Sequence, residues 1–232
     1  LPANTFTRTG YTFAGWDTAA DGSGTDYADA SINTLYGDVY LFAKWTANAL
    51  TVTYDSQGGS SIANGSTTTG GTISASPGSP TKAGYTFAGW FAASTGGTAI
   101  TFAYTHNQTA NFTLYAQWTT NSYTVTYNGN SNTGGSAPTD TSSPYNFGST
   151  VTVKGNSGSL INTGYTFVGW NTASNGTGTD YLPNATFTLG SANVVLYAKW
   201  VTTCTTSTDS SALPGYALIK FTSVGKCAWT NN

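Results

Sequence analysis

The stretch GYTFAGW, residues Gly10–Trp16, decides the reading of this chain. It returns unchanged at Gly84–Trp90 and as GYTFVGW at Gly164–Trp170, so the three tryptophans stand 74 and 80 residues apart. A second phrase follows each copy: VYLFAKW at Val39–Trp45, FTLYAQW at Phe112–Trp118 and VVLYAKW at Val194–Trp200. The gap from the first tryptophan of a copy to the second is 29, 28 and 30 residues. A self-similar period with a fixed internal spacing marks a repeat architecture, in which each period is one supersecondary unit.

A third phrase opens the later copies, LTVTYDSQGG from Leu50 and YTVTYNGNSNTGG from Tyr123, and has no counterpart ahead of Gly10. The expected organisation is therefore a partial module at 1–46 and full modules at 49–119 and 122–201. A tail of different character follows at 202–232.

Within a copy the side chains alternate. Val39, Leu41, Ala43 and Trp45 share one face, as do Phe112, Leu114, Ala116 and Trp118, and Val194, Leu196, Ala198 and Trp200. Period 2 with a fixed apolar face is a strand laid on a core. In the opening phrase Tyr11 and Phe13 point one way, Thr12 and Ala14 the other. The glycine before each tryptophan predicts a bulge or a close backbone approach, and the small Ala14, Ala88 and Val168 leave room for an indole ring to lie flat. Leu50–Asp55 and Tyr123–Asn128 read as first strands, and segments near Gly71–Ser76 and Ser149–Lys154 as second strands. The Asn- and Gly-rich stretch Thr177–Thr188 has room for a short helix or an extra strand.

Composition agrees. Aromatic residues make up 14% of the 232 and charged residues only 7%, with nine Asp, no Glu, six Lys and one Arg. The polar straight-chain helix formers are scarce, while Thr, Val, Tyr, Phe and Trp favour strands and Gly and Asn supply turns. The expected class is mostly β, built of small tandem modules in an elongated array with a short β tail. Arg8 and scattered lysines cannot clamp a phosphate backbone, so no nucleic-acid partner is expected. No apolar run approaches the length of a membrane-spanning helix.

His106, the sole histidine, lies in AYTHNQTAN and reads as a surface loop residue without the base and orienting partner of a triad. Asp17, Asp21, Asp26 and Asp29 cluster after Trp16, and Asp180 repeats the position of Asp26. Their spacing does not match a helix–loop–helix calcium loop, and loop structure is the first reading, with a weak calcium site at Asp21, Asp26 and Asp29 as the alternative. Lys44 and Lys199 sit on strands, the placement an intramolecular Lys–Asn or Lys–Asp cross-link needs. Asn64, Asn107, Asn111, Asn175 and Asn184 open N-x-S/T sequons. LPANT at the start departs from an LPxTG sorting signal. No catalytic, cofactor or metal residue is expected, and no cofactor. Cys204 and Cys227 are too far apart for a CxxC motif. An extracellular setting allows a disulfide between them.

The combination of YTVTYDSQGG, GYTFAGW and LYAKW resembles the Listeria–Bacteroides repeat, also called the internalin B-repeat. The resemblance covers about 1–201. It implies compact β-grasp-type modules arrayed in tandem in secreted or cell-surface bacterial proteins, a stalk or spacer role, and no catalytic residues. The tail YALIKFTSVGKCAW, Tyr216–Trp229, resembles the opening of a glycine-rich β domain of some secreted proteins. The alternative to the spacer is an adhesive or carbohydrate-binding module for a host or environmental glycan or protein, which requires exposed rows among Trp16, Trp90, Trp170, Tyr27, Tyr104 and Tyr181.

Overall fold

The computed structural model describes residues 1–203 and the two tail strands 206–209 and 218–221. Cys204 and Cys227, and with them the possible disulfide, lie outside the described residues. The chain divides into two compact units, Leu1–Thr119 and Thr120–Asn232.

In the first unit the strands are β1 (Tyr11–Asp17), β2 (Asp26–Tyr27), β3 (Phe42–Ala47), β4 (Ala49–Asp55), β5 (Gly65–Thr68), β6 (Thr72–Ile73), β7 (Tyr85–Phe91), β8 (Tyr104–Thr105) and β9 (Phe112–Thr120). They form a three-stranded sheet ordered β2-β1-β3, a four-stranded sheet ordered β5-β4-β9-β7, and the small ladder β6-β8. The second unit holds β10 (Ser122–Tyr123), β11 (Val125–Asn128), β12 (Tyr145–Asn146), β13 (Thr150–Thr152), β14 (Tyr165–Asn171), β15 (Asp180–Tyr181), β16 (Thr186–Thr188) and β17 (Val194–Thr202). Its main sheet runs β11-β17-β14-β15. In the tail, β18 (Thr206–Asp209) pairs antiparallel with β19 (Leu218–Phe221). No helix forms among the described residues, and none there is long and apolar enough to cross a membrane. The room between the two tryptophan phrases is filled by short strands, β15 and β16, instead of a helix.

Alternation holds in the two full copies; in the first, Val39 is exposed and Val39–Leu41 lie ahead of β3, which begins at Phe42. Leu50, Val52 and Tyr54 are buried while Thr51 and Thr53 are exposed. Leu114 and Ala116, and Leu196 and Ala198, are sealed. The first strand of each full copy lies parallel to the last: Val52 faces Phe112 and Tyr54 faces Leu114, and Val125 faces Val194 and Tyr127 faces Leu196. This central parallel pair is the pairing a β-grasp-type sheet requires. The short β13 pairs with β16 through Val151 and Phe187.

The glycine bulge is real, and it builds the core. Pairing of β1 with β3 slips between Phe13 and Gly15, and that of β14 with β17 between Phe167 and Gly169. Strict alternation would put Phe13 and Trp16 on opposite faces, and the extra residue brings both rings inward. Phe13 and Trp16 meet edge-to-face at 5.2 Å, Phe87 and Trp90 at 5.5 Å, and Phe167 and Trp170 at 5.1 Å. Each Phe also meets the tryptophan of the closing strand, Trp45, Trp118 or Trp200, at 5.5–5.8 Å. Such pairs add roughly 0.5–1.5 kcal/mol beyond area burial. Gly169 has φ +138, and a Cβ there would stand 2.8 Å from the Tyr181 carbonyl oxygen. Ala14 and Ala88 do not bed the indoles as expected: the bulge turns both outward to solvent.

Candidate functional site

The residues after the opening tryptophan form the most elaborate polar structure in the chain. WDTAADGSGTDY, Trp16–Tyr27, and WNTASNGTGTDY, Trp170–Tyr181, fold alike. Asp17 and Asn171 end β1 and β14, each about 1% exposed. Asp17 Oδ1 accepts the N–H groups of Ala19 and Gly24 at 2.7 and 3.0 Å, and Asn171 Oδ1 those of Ala173 and Gly178 at 2.8 and 3.0 Å. One oxygen therefore closes a seven-residue loop, backed by Thr18 N–H to Thr25 O and Thr172 N–H to Thr179 O. The copies differ in the second side-chain atom. Asn171 Nδ2 donates to Gly176 O, Gly178 O and an Asp180 oxygen, whereas Asp17 Oδ2 is buried without a hydrogen bond. The recurrence of Asp or Asn after Trp, with Gly seven residues on, is the sequence signal for this loop in the first and third copies.

Each acidic residue near this loop has its own task. Asp26 pairs with Lys44 at 2.7 Å and Asp180 with Lys199. The Lys44 ammonium holds the Asp26 carboxyl below its ordinary range, and Asp26 in turn raises Lys44. The Lys199 and Asn171 donors lower Asp180 likewise. Asp21 folds back on the Ser23 N–H and hydroxyl, and Asp29 accepts the Asn4 and Ala30 N–H groups. Asp21, Asp26 and Asp29 do not converge as a calcium site would require, and no group of three or more metal-ligating side chains gathers among the described residues. Lys44 and Lys199 stand in ion pairs with their side chains 37% and 32% exposed.

His106 is not on the surface. It is 2% exposed and packs 4.7 Å from the Phe112 ring. Its Nδ1 accepts the Gln108 N–H at 3.1 Å, which leaves the proton on Nε2, 3.2 Å from Thr67 Oγ1. Burial lowers its pKa. The imidazole donates to the hydroxyl, the reverse of the polarity a general base needs to activate it. The expectation of a surface histidine fails: His106 lies in the loop that follows β8, as its polar neighbours suggest, but its ring turns in against Phe112 of β9.

The aromatic candidates for glycan stacking sit mostly in the core. Trp90 and Trp170 are 1% and 0% exposed, and their N–H groups donate to Gly78 O and Lys154 O. Tyr27, Tyr104 and Tyr181 are half-buried, and Tyr181 packs on Phe187 at 5.0 Å. Conspicuous exposed side chains lie instead in the first copy: Ile32, Tyr36, Tyr40 and Phe6.

A copy of this kind is a small mixed sheet with a bulged opening strand and an aromatic core, used repeatedly. The chain matches the Listeria-Bacteroides repeat domain over residues 1–44, 51–117 and 123–199, and belongs to that family. It is 38% identical over 193 residues to a membrane protein of Evansella cellulosilytica, covering 83% of this chain and 28% of that protein. A Gly-rich membrane protein of the same organism is 32% identical over 202 residues, covering 85% and 21%. Internalin H of Listeria monocytogenes is 41% identical over 115 residues, covering 50% and 20%. The chain thus spans between a fifth and somewhat over a quarter of the length of these relatives. No solved structure matches it.

Proposed function

We propose that this chain is a non-catalytic structural spacer of a bacterial cell-surface or secreted protein, with each repeat a domain and the array a stiff stalk. The observation that carries the reading is the junction between the first two copies. A single residue, Asn48, separates β3 from β4, and it is held from both sides. Its N–H donates to Gly10 O at 3.0 Å, its carbonyl accepts the Thr69 N–H at 2.9 Å, and its Oδ1 accepts the Thr12 hydroxyl at 2.7 Å. The Thr69 hydroxyl also donates to Gly10 O, at 2.6 Å. A flexible linker would leave these groups to water, whereas a spacer gains by fixing them.

The recurring aromatic phrases support the same reading, because they are spent on rebuilding a core. The names of the relatives, membrane proteins and an internalin, favour a surface location. Small-angle scattering tests the proposal. A compact globule of this length has a radius of gyration of about 17 Å. The spacer requires a value well above that and an elongated distance distribution, and a compact particle overturns it.

A further inference from the structure

In both full copies the first strand and the last lie side by side and parallel, β4 against β9 and β11 against β17, with four residue pairs in register in each. The chain therefore enters a copy at one end of the ladder and leaves it at the other. A pull on the two ends drags the first strand one way along its axis and the last strand the other way. The hydrogen bonds run between the strands, across that direction, and are loaded together. Ends that met side by side in an antiparallel pair would instead open one bond at a time. Bonds re-form with the same side chains facing the core only after a slip of two residues, roughly 6.6 Å in a parallel pair. The whole ladder thus breaks before any of it is recovered.

Side chains clasp the ladder at both ends, and the clasps recur. Asn111 and Asn193 stand just ahead of β9 and β17. The Oδ1 of each accepts an N–H from the first-strand side, that of Thr51 or Thr124, at 2.8 Å. At the far end the closing tryptophan reaches the turn after the first strand. Trp118 Nε1 donates to Ser56 O at 3.0 Å, and Trp200 Nε1 donates to Gly129 O and Asn130 O at 3.1 and 3.0 Å. In the third copy Asn130 Nδ2 also ties that turn to Ala198 O of β17, at 2.9 Å. The two clasps join residues 60–71 apart in the chain, nearly the whole length that a pull would release. Beneath the ladder Val52, Leu114, Val125 and Leu196 are sealed, so sliding also drags apolar side chains through a packed core. Load reaches the second copy without slack, since Asn48 alone separates β3 from β4.

We propose that each full copy is a mechanical clamp, which bears tension along the chain through its parallel first and last strands. Its use rests on the spacer reading, because a chain fixed at one end and pulled at the other is what meets such a load. The two fail separately. A compact particle in scattering removes the spacer and leaves the clamp, whereas weak resistance to pulling removes the clamp and leaves the spacer.

The test stretches the 232-residue chain in a force spectrometer, first between its two ends. Two steps are assigned to the full copies by the chain they release, up to about 260 Å for 49–120 and about 290 Å for 122–202 at about 3.6 Å per residue. A second geometry attaches the handles through azide-bearing residues introduced at Tyr165 and Thr203, both exposed and at one end of the antiparallel β14–β17 pair. That pull peels the pair and releases up to about 140 Å. Pulled end to end, the third copy is expected to give way at about three times the peeling force, because several bonds share the load. At a fixed load Asn193→Ala speeds its unfolding about fivefold by removing the clasp on Thr124. Asn156→Ala cuts two bonds to Leu160 in a loop outside the ladder; it lowers the urea midpoint but leaves the rate under load unchanged. Equal forces in the two geometries, gradual lengthening without the two steps, or equal effects of the two substitutions on the rate under load overturn the proposal. The comparison of geometries keeps the ladder intact, so it decides even where a substituted copy fails to fold.

Discussion

Gly169→Ala adds one carbon atom and tests whether the bulge holds the aromatic core. At φ +138 the backbone is in a region that side-chain-bearing residues avoid, and strain there costs about 1–3 kcal/mol. The new Cβ would also lie 2.8 Å from the Tyr181 carbonyl oxygen, a backbone atom fixed by the β14–β15 pairing. Relief requires β15 to move or the bulge to unwind, and unwinding swings Trp170 away from Phe167. The expected loss is about 3 kcal/mol in the third copy. Gly176→Ala is the control: its φ is +75 but nothing lies within 4 Å of the added atom, so only the left-handed conformation is charged, about 1 kcal/mol. Urea titration followed by hydrogen exchange over residues 165–171 and 194–202 reads the third copy on its own. With a slope of about 2 kcal/mol per molar, Gly169→Ala lowers the midpoint by about 1.5 M and Gly176→Ala by about 0.5 M. Equal shifts for the two variants would refute the account of the bulge.

Other expectations rest on differences between copies. Asp17→Asn gives the first copy the donor that Asn171 uses toward Gly176 O, Gly178 O and Asp180. It stabilises that copy by about 1 kcal/mol, read from local hydrogen exchange at Tyr11–Asp17, and a loss of stability would contradict the reading of the loop. Burial holds the His106 pKa below 6.5, so between that value and its folded pKa the unfolded chain binds more protons. Stability of the second copy is then complete above about pH 6.5 and declines as pH falls below it. His106→Gln flattens this decline in thermal unfolding from pH 7 to 5, and an unchanged decline in the variant would assign it elsewhere.

The parts of the fold legible in the sequence are those where one local rule acts alone. Leu50–Asp55 alternates cleanly, and the glycines before Trp16 and Trp170 announce their bulges. Pairing partners were less visible, because Val52 meets Phe112 across sixty residues and no local pattern records that. The resemblance supplied the β-grasp expectation, and with it a helix whose place is taken by strands as short as Asp180–Tyr181. His106 was misplaced because its polar neighbours in the chain are not its neighbours in space: the ring turns in toward Phe112. The loop lock at Asp17 and Asn171 was missed for a different reason. Asp and Asn are residue types of catalysis and metal binding, while their use here is to close a turn with one oxygen.

The central claim is that the repeated aromatic phrases are core in the two full copies. The indole N–H signals of the tryptophans in a proton–nitrogen correlation spectrum test it most directly. Trp90 and Trp170, sealed and bonded to Gly78 O and Lys154 O, should exchange with deuterated water only as slowly as the surrounding strands open, and their positions should not move when glycans are added. Rapid exchange at both, or shifts of those two signals on adding a glycan, would contradict it and return the phrases to a binding surface.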